Sequence, residues 1–405
     1  MDIAVIGGGA AGFFSALSCK AHHPHARVTL YEKSGKLLSK VKVSGGGRCN
    51  VTNACDNVSE FSKHYPRGEK QMKKALRHFS AADTIRWFSD KGVQLVAEDD
   101  GRMFPSTNDS QTIVSCLLQH AQKQNIGIKL KMPIIQLKRA NEHFLLTHKD
   151  QTTHKVDKVI IATGGSPKLE GLLWLQALGH SIIPPVPSLF TFNMPNDAIR
   201  SLMGVVIDPV SVKVQATKLS AEGPLLITHW GMSGPAILKL SAWGARVLHE
   251  KNYRFKIQVN WLGNTKEHQL RDSFSSSILD IRKRKITNGN PFQLPNRFWD
   301  FIVQKSGINS STIWAELGKK SMNKLIDTLM NDTYEVTGTT TFKEEFVTCG
   351  GVSLDDVNIE TMESKKCPGL FFAGEVLDID GITGGFNFQA AWTTGFIAGK
   401  LGATT

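Results

Sequence analysis

The first dozen residues constrain this chain more than anything that follows them. Asp2-Ile3-Ala4-Val5-Ile6 reads as a short buried parallel strand. It leads through Gly7-Gly8-Gly9-Ala10-Ala11-Gly12 into a helix-like stretch from Phe13 to Ala21. Glycines at 7, 9 and 12 between a strand and a helix have separate jobs. The first permits the tight turn, the second lets the backbone approach a pyrophosphate, and the third lets helix and strand pack closely. The free N–H groups and positive dipole end of the helix then favour phosphate. A glycine run alone is a weak signal. Here a second strand, Val28-Thr29-Leu30-Tyr31, ends on Glu32, about 20 residues past the last glycine, where a carboxylate takes the adenosine ribose hydroxyls. A merely flexible glycine turn leaves Glu32 unexplained.

The chain has 405 residues, room for about two to three domains. Its 41% hydrophobic content is ordinary for a soluble globular protein. No apolar run reaches the roughly 18 residues of a membrane span. The apolar N-terminus carries Asp2, lacks a basic leader and is broken by glycines, unlike a signal peptide; the expected location is the cytoplasm. Cysteines at 19, 49, 55, 116, 349 and 367 include no C-x-x-C pair, so no metal site or disulfide framework is expected. The net charge of +12 and pI near 9.3 fit nucleic acid, a solvated surface, or a field that steers anionic cofactors and substrates. One local cluster, Arg282-Lys283-Arg284-Lys285, has no RNA-binding signature beside it. A small-molecule substrate is therefore the leading partner, ahead of nucleic acid.

A second glycine cluster, Ser44-Gly45-Gly46-Gly47-Arg48-Cys49-Asn50-Val51-Thr52-Asn53, follows no hydrophobic strand. Consecutive glycines suit close backbone approach to a flat or charged ligand, and Arg48, Asn50, Thr52 and Asn53 supply donors and acceptors. Helical spacing predicts one helix over 70–91 and another over 112–124. Ile126 to Leu130, Ile134 to Lys138 and Phe144 to Thr147 read as strands. Lys158 to Ala162 is a buried strand ending in Thr163-Gly164-Gly165, a suitable wall for a bound nucleotide. From about Ser188 prolines interrupt the pattern. Strands are expected over 205–214, 225–228 and 254–262, and helices over 236–248, 266–285, 292–305, 310–317 and 321–330. Near Phe342 the earlier style returns. A strand from Glu345 to Val352 precedes Gly369 to Glu375, a buried strand ending in an acid. Then come Gly381, Gly384-Gly385-Phe386-Asn387 and a helix to about Leu401. A glycine-opened helix after a strand-end acid is a second helix N-terminus for a ligand.

Four blocks in chain order carry a resemblance: Gly7 to Gly12 with Glu32-Lys33; Ser44 to Asn53; Thr228-His229-Trp230-Gly231-Met232-Ser233-Gly234-Pro235; and Phe372 to Gly381 with Gly384 to Gln389. The sequence resembles the BaiN/RdsA-like NAD(P)/FAD-dependent oxidoreductases, bacterial flavoproteins in which a Rossmann-type domain is split by an insertion. The resemblance implies an α/β fold: a discontinuous FAD-binding domain over 1–188 and 342–405, and an inserted α+β substrate or cap domain over 189–341. The insertion would be β-rich and barrel-like over 189–262 and helical over 263–341. It places Gly7, Gly9, Ala10, Ala11 and Gly12 on the FAD pyrophosphate, Glu32 on the ribose, and Lys33 and Lys40 near the adenosine or phosphate. Ser44, Gly45, Gly46, Arg48, Cys49, Asn50, Thr52 and Asn53 would line the flavin and phosphate region, and Ile134 would touch adenine through its backbone. Thr163 and Gly164 would form the turn of such flavoproteins, and Gly374 and Glu375 would face the ribityl chain. Gly385, Phe386 and Asn387 would present N–H groups to the isoalloxazine carbonyl edge, which gains charge on reduction.

The implied function is FAD-dependent oxidoreduction of a small organic substrate such as a steroid-like enone, with NAD(P)H as transient donor. Only one strand-GxGxxG-helix unit is present, so NAD(P)H has no dedicated domain. Two alternatives stay open: an amine or aminoketone oxidase passing electrons to oxygen, and a flavin-dependent RNA-modifying or RNA-binding protein, suggested by charge alone. His229, beside a glycine turn, is the candidate catalytic acid or base; holding a backbone group is its other reading. Cys49 fits a small residue in a tight loop better than a redox thiol. Asp380, with Asp378, flanks Gly381 either as a turn carboxylate or as a site acid.

Overall fold

The computed structural model describes residues 1–340 and 347–403. The chain forms two compact units, Met1–Ser188 with Phe342–Thr405, and Leu189–Thr341. The boundary expected at 341/342 and the start of the strand expected from Glu345 lie outside the described residues.

The first unit is built on a seven-stranded sheet. Its order is Val357–Asn358, Glu363–Ser364, Leu370–Phe372, Lys158–Ile161, Asp2–Ile6, Arg27–Tyr31 and Gly127–Lys129. The last five pair in parallel, for instance Ile6 with Ile161 and with Tyr31. The central strands are apolar and buried on both faces, as a parallel sheet covered by helices requires. Three small antiparallel sheets accompany it: Thr52–Asn53, Arg102–Pro105 and Leu95–Ala97; Ile134–Ala140, His143–His148 and Thr153–Val156; and Ile182–Ser188 with Val347–Val352. The helix expected over 70–91 is two helices, Glu69–Ala75 and Ala81–Ser89. Ser80 ends the run by capping the second: its hydroxyl accepts the Asp83 N–H while the Asp83 carboxylate accepts the Ser80 N–H, so both groups at the break are satisfied.

Two helices of this unit pack directly, Ala10–His22 near the start of the chain and Phe386–Gly399 at its end. Glycines make the contact possible. A Cβ on Gly395 would lie 2.9 Å from Ala11 O, and one on Gly399 would lie 2.4 Å from Ser18 Cβ. The Ser18 hydroxyl also donates to Phe396 O at 2.7 Å. Ala11 meets Gly395 and Ser18 meets Gly399, so the helices run in the same direction. Phe386 lies nine residues before Gly395 and thirteen before Gly399, whereas Ala10 lies one before Ala11 and eight before Ser18, so at 1.5 Å per residue the late helix starts roughly 8–12 Å farther out than the early one.

The second unit has an antiparallel sheet in the order Asp332–Val336, Phe255–Asn260, Val206–Val214, Ser220–Ile227, Gly231–Ser233, Thr191–Asn193 and Thr339–Thr340. Helices Pro235–Trp243, Glu267–Ile281, Asn296–Lys305 and Lys319–Met330 accompany it. The part expected to be helical thus returns two strands to the sheet, with Val336 opposite Phe255 and Thr340 opposite Thr191. Asp332, Tyr334 and Val336 alternate inward, a period-two signal too short to stand out beside the helix before it. The helix expected over 310–317 is one turn, Trp314–Glu316. Gly244 divides the helix expected over 236–248, leaving Pro235–Trp243 and Ala245–Glu250. Trp261 and Trp299 are fully buried in this core. Trp261 meets Phe298 edge-on at 4.6 Å and donates to Asp332 Oδ2 at 3.0 Å, which satisfies its indole N–H.

Candidate functional site

The first glycine turn is shaped by what cannot fit there. Gly7 has φ +118°, and a Cβ on it would lie 2.2 Å from Ala162 O; a Cβ on Gly12 would lie 1.8 Å from Gly7 O. Both therefore must be glycine for the turn to exist. Gly9 is different. It opens the helix with no side-chain cap, and nothing lies within 4 Å of its missing Cβ. The N–H groups of Ala10, Ala11 and Gly12 have no acceptor inside the helix. The result is an open, uncapped row of donors on a positive dipole end, which fits a pyrophosphate. Glu32 stands beside it: its Oε2 accepts the Gly8 N–H and its Oε1 the Ser34 N–H, both at 2.8 Å. A carboxylate has about four acceptor positions, so the two bonds fix its orientation and leave it able to accept ribose hydroxyls. Lys33 is exposed at this edge.

The second glycine cluster closes the kinked helix Ser39–Gly47, where Gly45, Gly46 and Gly47 have φ of +58°, +69° and +87°. No atom lies within 4 Å of a Cβ on Gly46 or Gly47, so this backbone too is open to approach. Lys40 from the same helix pairs with Glu375 Oε2 at 2.7 Å, and Glu375 Oε1 accepts the Thr348 N–H at 2.9 Å. Gly374, with φ +75°, sits so close to the first helix that its Cβ would meet Ala11 Cβ at 2.7 Å, and its N–H donates to Thr394 Oγ1 at 2.8 Å. Exposed Thr163 and half-buried Gly164 follow the neighbouring strand, and a Cβ on Gly165 would reach Thr348 Oγ1 and Glu375 Oε1 at 2.4 and 2.5 Å.

The late helix opens at Gly385, with φ +92° and no side-chain cap. Its surroundings come from the 50–53 stretch. Thr52 Oγ1 donates to Gln389 Oε1 at 2.6 Å, Trp392 Nε1 to Val51 O at 2.9 Å, and Asn53 Nδ2 to Gly384 O at 3.2 Å. With its amide turned to satisfy both ends, Asn50 accepts the Gly385 N–H and donates to Thr52 O, each at 3.0 Å. The Asn387 side chain is turned back on Gly381, accepting its N–H and donating to its carbonyl at 2.9 Å. The Phe386 and Asn387 N–H groups remain in the first turn without an intrahelical acceptor.

Several candidates from the sequence use their side chains on the protein itself. Arg48 pairs with Glu98 at 2.7 Å and lies 4.0 Å above the Phe104 ring. Cys49 is buried, which pushes its thiol up to about 12 while the Ser44 hydroxyl pulls it down; it is no thiolate at neutral pH. The Asp380 carboxylate is buried and held by Arg67 and Ser188. Burial pushes its pKa up, and the guanidinium and hydroxyl oppose that. Ile134 begins a flanking strand and pairs with His148. His229 belongs to the second unit, where it is exposed; its carbonyl accepts Arg200 Nε at 2.7 Å and its ring lies 4.2 Å from that of Trp230. Among the described residues no group of three or more His, Cys, Asp or Glu is arranged to hold a metal, and no helix is long and apolar enough to cross a membrane.

Three residues of this region carry no sequence signal. Thr348 is buried beside Glu375, and its hydroxyl has no partner among the described atoms. Tyr65 and Arg67 both reach the late loop, with Tyr65 Oη donating to Phe386 O at 2.7 Å. Nothing local marks Tyr65 and Arg67, because their partners in that loop lie more than 300 residues away in the chain.

Comparison with known proteins bears on the family and the fold. The sequence model of the HI0933-like protein Rossmann domain matches residues 1–401. The 3-dehydro-bile acid delta(4,6)-reductase of Clostridium scindens is 26% identical over 99% of this chain and 98% of its own length. The ribosomal RNA dihydrouridine synthase of Escherichia coli is 29% identical over 97% and 96%. Among solved structures, a flavocytochrome c3 fumarate reductase aligns over 99% of this chain and 77% of its own, with TM-score 0.52 and 15% identity. The 3-ketosteroid delta1-dehydrogenase of Sterolibacterium denitrificans aligns over 98% of each, with TM-score 0.52 and 12% identity. At those identities the structures speak for the fold alone. An uncapped glycine cradle on a parallel sheet, matched along the whole chain by one family's sequence model, makes this protein a member of the HI0933-like Rossmann-domain family.

Proposed function

We propose that the protein is an enzyme, an FAD-dependent oxidoreductase acting on a carbon–carbon double bond conjugated to a carbonyl. The observation that carries this reading is the pair of glycine-opened helix N-termini, parallel and offset by roughly 8–12 Å at 1.5 Å per residue. An extended ligand with a pyrophosphate at one end and an electron-accepting ring at the other suits that offset. Gly9 to Gly12 would hold the pyrophosphate and Glu32 the ribose. Glu375, oriented by Lys40 and the Thr348 N–H, would take hydroxyls of the linking chain. Phe386 and Asn387 N–H would face the ring edge that becomes negative on reduction, where fixed donors stabilise charge without reorganising. The flavin would supply hydride and electron transfer.

The names of the relatives support the substrate chemistry. A delta(4,6)-reductase of a 3-dehydro compound and a dihydrouridine synthase both describe saturation of a double bond near a carbonyl. A small enone reduced at the expense of NAD(P)H is the first reading, with 189–341 as the substrate unit. An RNA base is the second. Two relatives are named ribosomal RNA dihydrouridine synthases. Residues 189–341 also hold 19 Lys and Arg against 12 Asp and Glu, so seven of the twelve net charges sit there. A basic excess of this kind attracts a polyanion.

The test is anaerobic reduction of the purified flavoprotein by NADH or NADPH, followed by addition of a steroid-like 3-oxo-4-ene or a uridine-containing ribosomal RNA fragment. Reoxidation by the enone supports the first reading, and reoxidation by RNA that weakens steeply with salt supports the second. Reduction by amines with no response to nicotinamides would contradict both.

A further inference from the structure

The loop that opens the late helix is clasped by a stretch that no motif marks. Arg67 and Asp380 form an isolated antiparallel bridge. The Arg67 side chain forks onto the same residue, with Nε donating to Oδ1 at 2.5 Å and Nη2 to Oδ2. Ser188 Oγ donates to Asp380 Oδ2 at 2.8 Å. Farther along the loop, the Ile382 N–H donates to His64 O at 2.9 Å and Tyr65 Oη to Phe386 O at 2.7 Å. The His64 ring stacks on the Phe386 ring at 4.3 Å with planes 6° apart. The loop 380–386 is therefore fixed at its start, middle and end by three residues of one tetrapeptide, His64 to Arg67.

The ion pair is an expensive way to do this. Asp380 is fully buried and the Arg67 side chain is 15% exposed. Desolvating both charges costs much of what their attraction returns, and apolar residues of similar size often stabilise as well. What a planar two-pronged guanidinium–carboxylate contact adds is direction. Ser188 shares the same carboxylate. It ends the strand Ile182–Ser188 and is the last residue of the first unit before the insertion, so the same carboxylate ties the loop to the point where the chain leaves this unit.

We infer that Arg67, acting through Asp380, is a positioning residue: it holds the 380–386 loop so that the Phe386 and Asn387 N–H groups keep one direction before any cofactor arrives. This rests on the flavin reading for its consequence. Donors held in one direction stabilise the reduced ring, and donors on a loosened loop do so less.

The experiment compares full-length wild type with Arg67→Lys, Asp380→Asn and Ser188→Ala. Amide hydrogen exchange is followed in the cofactor-free proteins, and the flavin midpoint potential in the FAD-loaded ones. The expectation for Arg67→Lys and Asp380→Asn is exchange about tenfold faster across 381–387, with Gly7 to Gly12 unchanged and a more negative potential. Ser188→Ala should move the same quantities less, and it decides the matter if the other two do not fold. Unchanged exchange and potential in folded variants would overturn the inference, as would a rise spread evenly over the unit. If wild type takes up no FAD, the oxidoreductase reading fails, and exchange across 381–387 alone then decides the positioning role.

Discussion

The two helix openings are built in opposite ways. At Gly7 to Gly12 the backbone makes the cradle by itself: two glycines are forced by contacts of 2.2 and 1.8 Å with neighbouring carbonyls, and a third is left open. At Asp380 to Asn387 the backbone is held by side chains from elsewhere in the chain: Arg67, Tyr65, Ser188 and Asn50. The first is a local device and the second a tertiary one. A local device should fail abruptly when one atom is added, whereas a tertiary device should weaken in steps as its supports are removed.

Four measurements can break or sharpen that contrast. Gly12→Val sets a side chain against a backbone carbonyl that cannot move aside. It should destabilise the fold by on the order of 4 kcal/mol or yield no folded protein, read by urea unfolding and by flavin content. Arg67→Ala leaves the buried Asp380 carboxylate uncompensated and should cost about 3–5 kcal/mol. In the same titration, a loss under 1 kcal/mol or so would mean that the fork supports nothing. Asn387→Ala removes one of several ties on the loop and leaves Gly381 with an unpaired N–H and carbonyl. A loss of about 1–3 kcal/mol is expected, with weaker FAD binding and an intact pyrophosphate end. The smallest effect concerns Cys49, where the 50–53 stretch begins. Its thiol is pushed up to about 12 by burial, so a thiolate-selective reagent at about pH 8 should leave it unmodified while half-buried Cys55 reacts. Rapid labelling of Cys49 by mass spectrometry would show that the support of the late loop opens in solution.

The same contrast explains what the sequence reveals. The early strand, the glycines and Glu32 obey a spacing rule because the whole device fits within about thirty residues. The late helix, its glycines and Glu375 are visible as a strand-end acid before a glycine-opened helix. The roles of Asn387 and Asp380 are not: Asn387 turns back on Gly381 within its own loop, and Asp380 turns to Arg67, a partner that only the fold supplies. Arg67 and Tyr65 stay hidden because their partners lie more than 300 residues away, and Thr348 because nothing but its burial beside Glu375 marks it. In the second unit the strands Asp332–Val336 and Thr339–Thr340 escape notice because they are short and complete a sheet begun about 140 residues earlier, at Thr191, a case of pairing overriding local pattern.

The most direct test of the central claim is a crystal structure of the full-length protein with FAD. The account predicts one FAD with its pyrophosphate on the N–H groups of Gly9 to Gly12 and the carbonyl edge of its isoalloxazine ring on those of Phe386 and Asn387. A ring bound away from Phe386 and Asn387, or a pyrophosphate held anywhere but the first glycine turn, would contradict it.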